Sequence, residues 1–221
     1  CQNGSFIPTD GAPHDLYGLS VAVDEPWAAI GASQADGPTG VSQGYVSIFQ
    51  RSGRNWFMTQ QLTASDATMG DDFGSVAIGG GRLFVGASGA PVNGIDSGAG
   101  YVLEESGGTW IETARLEPSD PVGNLGFGGA TAAWGDTAIF SASGDPTGGA
   151  VYVFENRGGT WVQAQKLLAS DGEDGDGFGT PALEGSIIAI GASGDDPIGA
   201  GTGSGSAYIF ENDGTQWVET D

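Results

Sequence analysis

Four copies of one sequence pattern fill this chain, and this repetition limits its fold more than any other feature. An aromatic residue followed by glycine recurs at Tyr17-Gly18, Phe73-Gly74, Phe127-Gly128 and Phe178-Gly179. A triplet of small residues follows each pair, at Gly31-Ala32-Ser33, Gly86-Ala87-Ser88, Ser141-Ala142-Ser143 and Gly191-Ala192-Ser193. A period of roughly 50 residues is typical of proteins built from stacked units.

Each copy predicts four short β-strands. In the first copy these strands cover residues 20–23, 27–32, 44–49 and 56–62, where Val, Ile, Phe and Trp concentrate. Gly, Asp, Asn and Pro fill the intervals, as turns require, and no segment has apolar residues at helical spacing. We therefore predict an all-β protein, a β-propeller made of four-stranded antiparallel blades.

The stacking of blades explains the composition of the repeat. A small sheet hides both of its faces only by packing against neighbouring sheets. We expect the small triplets to bring backbones close together near the axis. The recurring Trp and Phe residues are expected to fill the wider space between blades.

The repeat also predicts the domain boundaries. Residues 1–4 form a tether, and residues 5–221 form the propeller, with units at about 11–66, 67–120, 121–171 and 172–221 plus 5–10. Residues 6–10 match 116–120, the end of a fourth strand, and residues 217–221 match the beginning of that strand. This match predicts that the two terminal segments pair in one blade and close the ring. A fragment of a longer array is the alternative.

Composition excludes several classes of function. The net charge of −22, with only six Lys and Arg, opposes binding to nucleic acid. No apolar run reaches the roughly 18 residues of a membrane-spanning helix. The single histidine, His14, lies in a predicted turn, and nothing selects one pair of carboxylates for hydrolysis. We predict a protein that is not an enzyme; a hydrolase with an acidic dyad is the least favoured alternative.

One acidic segment is a candidate metal site. Residues 171–177 place Asp171, Asp174 and Asp176 among glycines, a partial match to calcium-binding loops. We name these three aspartates as candidate calcium ligands. Solvated acidic turns are the alternative, and no other cofactor is predicted.

The Phe-Gly pairs and the Gly-Ala-Ser triplets resemble the FG-GAP repeat family, found in integrin α-subunit heads and bacterial surface proteins. The segment Leu168-Ala169-Ser170-Asp171-Gly172 is similar to its bacterial subgroup, whereas Ser141 departs from the triplet. The resemblance implies a propeller, usually of seven blades. Four units leave open a four-bladed ring, a part of a larger ring, or chains that combine. The calcium loops of the integrin type do not carry over, because the turns between first and second strands are too short here.

Cys1 suggests how the protein is held in place. A lipid-modified cysteine begins mature bacterial lipoproteins, so Cys1 predicts a lipid anchor on an extracytoplasmic protein. The alternatives are an intermolecular contact through the Cys1 thiol, or a sequence boundary that has no functional meaning.

The longest connections predict where partners bind. Residues 34–43, 89–98 and 194–206 join second to third strands and should cluster on one face, while 144–149 is shorter and leaves a notch. We predict a non-catalytic, extracytoplasmic binding or assembly module that contacts a partner protein through this face. A lectin-like propeller, with exposed Trp or Tyr side chains stacked on sugar rings, is the alternative.

Overall fold

The computed structural model describes residues 6–8, 11–38, 40–196 and 202–220, and these residues form an all-β structure. Four antiparallel sheets of four strands follow one another along the chain. Each sheet corresponds to one sequence repeat, so we refer to blades 1 to 4. The predicted fold class is confirmed at this level.

The strands of each blade are as follows. Blade 1 contains β1 (Val21–Asp24), β2 (Trp27–Ala32), β3 (Tyr45–Ser52) and β4 (Asn55–Leu62). Blade 2 contains β5 (Phe73–Gly79), β6 (Arg82–Ala87), β9 (Ala99–Ser106) and β10 (Thr109–Leu116), and a small hairpin, β7 (Pro91–Val92) and β8 (Ile95–Asp96), projects from it. Blade 3 contains β11 (Phe127–Trp134), β12 (Thr137–Ala142), β13 (Ala150–Arg157) and β14 (Thr160–Leu167). Blade 4 contains β15 (Phe178–Glu184), β16 (Ile187–Ala192), β17 (Ser206–Asn212) and β18 (Trp217–Glu219).

The hydrophobic core lies between consecutive blades. Each of three large clusters of buried side chains combines residues from two successive sheets. Trp110 of blade 2 meets Trp27 of blade 1 at a ring-centroid distance of 5.6 Å, and Trp161 of blade 3 meets Phe84 of blade 2 at 5.1 Å. The prediction that aromatic residues fill the space between blades is confirmed.

Glycines let the backbones of neighbouring blades touch. A Cβ atom added to Gly31 would lie 1.8 Å from the carbonyl oxygen of Gly74, and one added to Gly86 would lie 1.9 Å from that of Gly128. The triplet glycines of blades 1 and 2 thus abut the Phe-Gly glycine of the next blade, and the expected close approach of backbones is confirmed there. Ser141 fits in blade 3 because a Cβ on Gly179 of blade 4 would stay 3.3 Å from its own.

Ring closure is not confirmed. Among the described strands, extensive packing joins blades 1 and 2, 2 and 3, and 3 and 4, but not 4 and 1. Phe6 lies against Phe49 of blade 1, with ring centroids 4.6 Å apart, whereas Trp217 belongs to the core between blades 3 and 4. Of the segment 5–10, only residues 6–8 are described, and they form no strand. Pairing of the terminal segments therefore stays a prediction.

Candidate functional site

One end of the blades carries the connections between second and third strands, and we call it the loop face. It comprises the described residues of the ranges 33–44, 88–98, 143–149 and 193–205. It also includes the segments 63–72, 117–126 and 168–177, which lead to the first strand of the next blade. Backbone hydrogen bonds join the two kinds of segment: Gly70 N donates to Val41 O (3.0 Å), and Asn124 N donates to Asp96 O (2.9 Å). The loops are therefore held by the next blade.

Large apolar side chains project from this loop face into solvent. Val41 and Met69 are 59% and 67% exposed on adjoining segments of blades 1 and 2. Ile95 and Val122 are 39% and 45% exposed on the corresponding segments of blades 2 and 3. These side chains thus occur as two pairs, each on hydrogen-bonded segments at a junction between blades.

A cavity of about 350 Å³ lies beside the residues where the first strands of blades 1, 2 and 3 begin. Asp72, Ser33 and Ser88 contribute to its lining. Asp72 adopts a left-handed backbone conformation (φ 56°), which non-glycine residues seldom adopt. Burial, and then the charge of Asp71, raise the pKa of the Asp72 carboxyl above its usual range.

Aspartates near the loop face join successive blades through tyrosines. The hydroxyl of Tyr101 donates to Asp66 (2.9 Å), that of Tyr152 to Asp120 (2.8 Å) and that of Tyr208 to Asp171 (2.8 Å). Each aspartate closes one repeat and each tyrosine belongs to the next blade. Sequence reasoning missed these bonds, although the tyrosine two residues before Leu103, Phe154 and Phe210 was a visible signal.

Lys166 links one of these contacts to a buried aspartate. Its ammonium lies 2.7 Å from Asp120 and 2.6 Å from Asp145, whose side chain is only 4% exposed. Burial by itself raises the pKa of Asp145, but hydrogen bonds from Lys166 and Thr147 outweigh it and hold this pKa below its usual range. Burial likewise lowers the pKa of Lys166, and its bonds to the two aspartates reverse that effect and raise it.

The three candidate calcium ligands have separate surroundings. Asp171 binds the Tyr208 hydroxyl, buried Asp176 accepts a bond from the backbone N of Glu173 (2.6 Å), and Asp174 is exposed. Within the described residues, no group of three His, Cys, Asp or Glu side chains is placed to hold a metal ion. Calcium binding by these aspartates stays a prediction. Cys1 lies outside the described residues.

The opposite end of the blades carries a second cavity, of about 500 Å³. Val23, Ile78, Ala133 and Trp134 line it, beside the turns between first and second strands. The indole of Trp134 is 51% exposed there. No helix in the described ranges has the length and apolar character needed to cross a membrane.

Comparison with known proteins places the chain in a family. A family profile described as FG-GAP repeat matches residues 2–49, 56–103, 110–154 and 161–210. No curated protein matches the chain. The crystal structure of a hypothetical selenium-binding protein from Sulfolobus tokodaii is similar, with a TM-score of 0.51 and 10% identity, over 88% of this chain and 51% of that one. The present chain therefore spans about half the length of that structure, and the likeness concerns the fold alone. Four profile matches cover most of the sequence, and the chain belongs to the FG-GAP repeat family.

Proposed function

We propose that this protein is a non-catalytic, extracytoplasmic binding and assembly module that contacts a partner protein through its loop face. The observation that carries the proposal is the set of exposed aliphatic side chains Val41, Met69, Ile95 and Val122. They stand on loops fixed by backbone bonds to the next blade, so little ordering of the loops is needed on binding.

The charge of the loop face indicates the chemistry of the partner. Asp36 accepts a hydrogen bond from Ser42 N beside Val41, Asp96 directly follows Ile95, and the whole protein carries a net charge of −22. A partner with basic groups around an apolar centre fits this surface, because complementary charge speeds encounter and apolar contact supplies affinity.

Partner capture by loop-face variants tests this proposal. Met69→Asp and Ile95→Asp each place a charge among the exposed aliphatic side chains of the loop face. The assay is capture of the partner protein by cross-linking in the source cells, and we expect each variant to capture at least tenfold less than the wild type. Ile111→Asp is the matched control, because Ile111 is 53% exposed on β10, near the hairpin at the other end of blade 2. Equal capture by all three variants would contradict binding of the partner to the loop face.

The extracytoplasmic location is supported by the family. FG-GAP repeats occur in surface proteins, and Cys1 would supply a lipid anchor. The intact mass of the protein isolated from its source cells tests the anchor: a diacyl or triacyl adduct supports it, and an unmodified thiol contradicts it. Digestion by protease added to intact cells tests the location independently.

A carbohydrate ligand is the second candidate, and Trp134 favours it. Its half-exposed indole lines the cavity at the end opposite the loop face, where a sugar ring could stack on it. Binding of the wild type and of Trp134→Ala to a glycan array tests this candidate. Binding by the wild type that is lost in the variant would support a carbohydrate site at Trp134, and no binding by the wild type would contradict it.

A further inference from the structure

Within the described residues, the outer faces of blades 1 and 4 are exposed, whereas the same faces of the other blades are buried. The forward face of a blade is the side towards the next blade along the chain, and the backward face is the other side. The forward face of blade 4 contains Ile187, Ala189, Ala207 and Ile209, and the first and third of these are exposed. The corresponding positions of blade 3 are Thr137, Ile139, Val151 and Val153, and the last three are each 0% exposed beneath blade 4.

Blade 1 has the complementary uncovered face, on its backward side. Val21 is 65% exposed there, whereas Val76, at the same position of blade 2, is 4% exposed beneath blade 1. Trp56 is half-buried with Phe6 beside it, whereas Trp110, at its position in blade 2, is 3% exposed. Each uncovered face also borders a groove of about 370 Å³.

Gly191 lies on the forward face of blade 4, and no described atom lies close enough to it to exclude a larger side chain. At the same position, Gly31 and Gly86 allow the backbone of the next blade to approach within 1.8 and 1.9 Å of an added Cβ. At Gly191 the nearest atom to an added Cβ is 3.6 Å away, and its φ angle lies outside the left-handed region. The forward face of blade 4 thus has the form of a surface that receives another blade.

We propose that the forward face of blade 4 binds the backward face of blade 1 of a second copy of this chain. The three internal interfaces show the geometry: the tryptophan of the following blade covers the second strand of the preceding one, as Trp110 covers Trp27. Because the two faces differ, the contact is head to tail, and it closes into a ring or continues along a row of copies. This contact does not use the loop face, and the residue it shares with the lining of the Trp134 cavity is Val23.

Electrostatics gives the association a characteristic salt dependence. Two copies with a net charge of −22 each repel one another, while the paired faces are mainly apolar. Raising the salt concentration from about 0.15 M to 1 M shortens the Debye length from about 8 Å to 3 Å and strengthens apolar association. We expect the dissociation constant to fall severalfold over this range.

Sedimentation of the purified chain, up to a concentration of about 0.1 mM, tests the proposal. We expect species larger than the monomer, and a loss of association of at least tenfold in Gly191→Ala, because a single methyl group would meet the incoming backbone. Val23→Lys should have the same effect from the other face, since Val23 is 66% exposed in one copy. Ile111→Lys, at an exposed position on β10, is the control and should associate like the wild type.

Mixing the two variants tests directly whether the two faces bind each other. Gly191→Ala has an intact blade 1 face and Val23→Lys has an intact blade 4 face, so the mixture should form a heterodimer and nothing larger. A wild-type chain that stays monomeric throughout would overturn the proposal, as would an oligomer that persists in both variants. A mixture that remains monomeric contradicts it too. Melting temperatures of the variants, measured on dilute monomer, establish that each is folded.

Discussion

Replacing Gly86 by alanine tests how closely consecutive blades approach. The added Cβ would lie 1.9 Å from the carbonyl oxygen of Gly128, and real Cβ atoms do not come within 3.0 Å of such neighbours. Blades 2 and 3 must therefore separate by about 1 Å along a packed core. Overpacking of this kind lowers the free energy of unfolding by about 1–3 kcal/mol. We expect the upper end of this range, about 3 kcal/mol, because the clash is between the backbones of two blades.

Gly191→Ala is the matched control, since the same substitution is made at the same repeat position. Its added Cβ meets nothing closer than 3.6 Å, and its φ angle lies outside the left-handed region. We expect a stabilisation of about 0.4–1 kcal/mol, because alanine restricts the unfolded chain.

Thermal unfolding followed by tryptophan fluorescence, at concentrations low enough for monomer, measures both changes. A chain of this size loses about 2–4 °C per kcal/mol, so Gly86→Ala should melt about 6–12 °C below the wild type. Gly191→Ala should melt at or slightly above the wild type. If the two variants shift equally, the stacking of blade 2 on blade 3 is not as described.

Three further substitutions probe the contacts between blades. Lys166→Met leaves the buried Asp145 carboxylate without its cation and should cost about 2 kcal/mol at pH 7, between the values for exposed and buried pairs. Because the folded-state pKa of Asp145 is lowered, this stabilisation is present above about pH 4 and is lost as the pH falls further, so the unfolding free energies of wild type and variant should converge in acid. Phe84→Ala empties a fully buried position and should cost about 3–5 kcal/mol in urea unfolding. Gln165→Ala removes the amide that bonds both the N and the O of Trp217 (2.8 Å each), and hydrogen exchange should speed up in β18 while β10 is unchanged.

The sequence was sufficient to predict the strands, the blades and the role of the small residues. Alternation of apolar residues and turn glycines is a local signal, and four copies of it reinforce one another. Close backbone approach was predicted for the Gly-Ala-Ser triplets, and the contact of Gly31 with Gly74 confirms it.

Contacts between separate repeats were harder to predict. Tyr152 and Asp120 lie 32 residues apart, and their bond depends on how blade 3 is rotated against blade 2. The exposed face of blade 4 was also not foreseen, because Ala189 and Ile209 occupy positions that are buried in other blades. Sequence alone gives the period of the repeat but not the angle between its copies, and that angle decides whether the ends meet.

The loop face as the partner surface is the central claim of this account, and hydrogen exchange on the complex tests it most directly. The protein is compared alone and bound to the partner captured by cross-linking. We predict slower exchange in residues 34–43, 66–72 and 89–98, with no change at the turns 24–27, 79–82 and 134–137. Protection confined to those turns, at the Trp134 end, would contradict the claim.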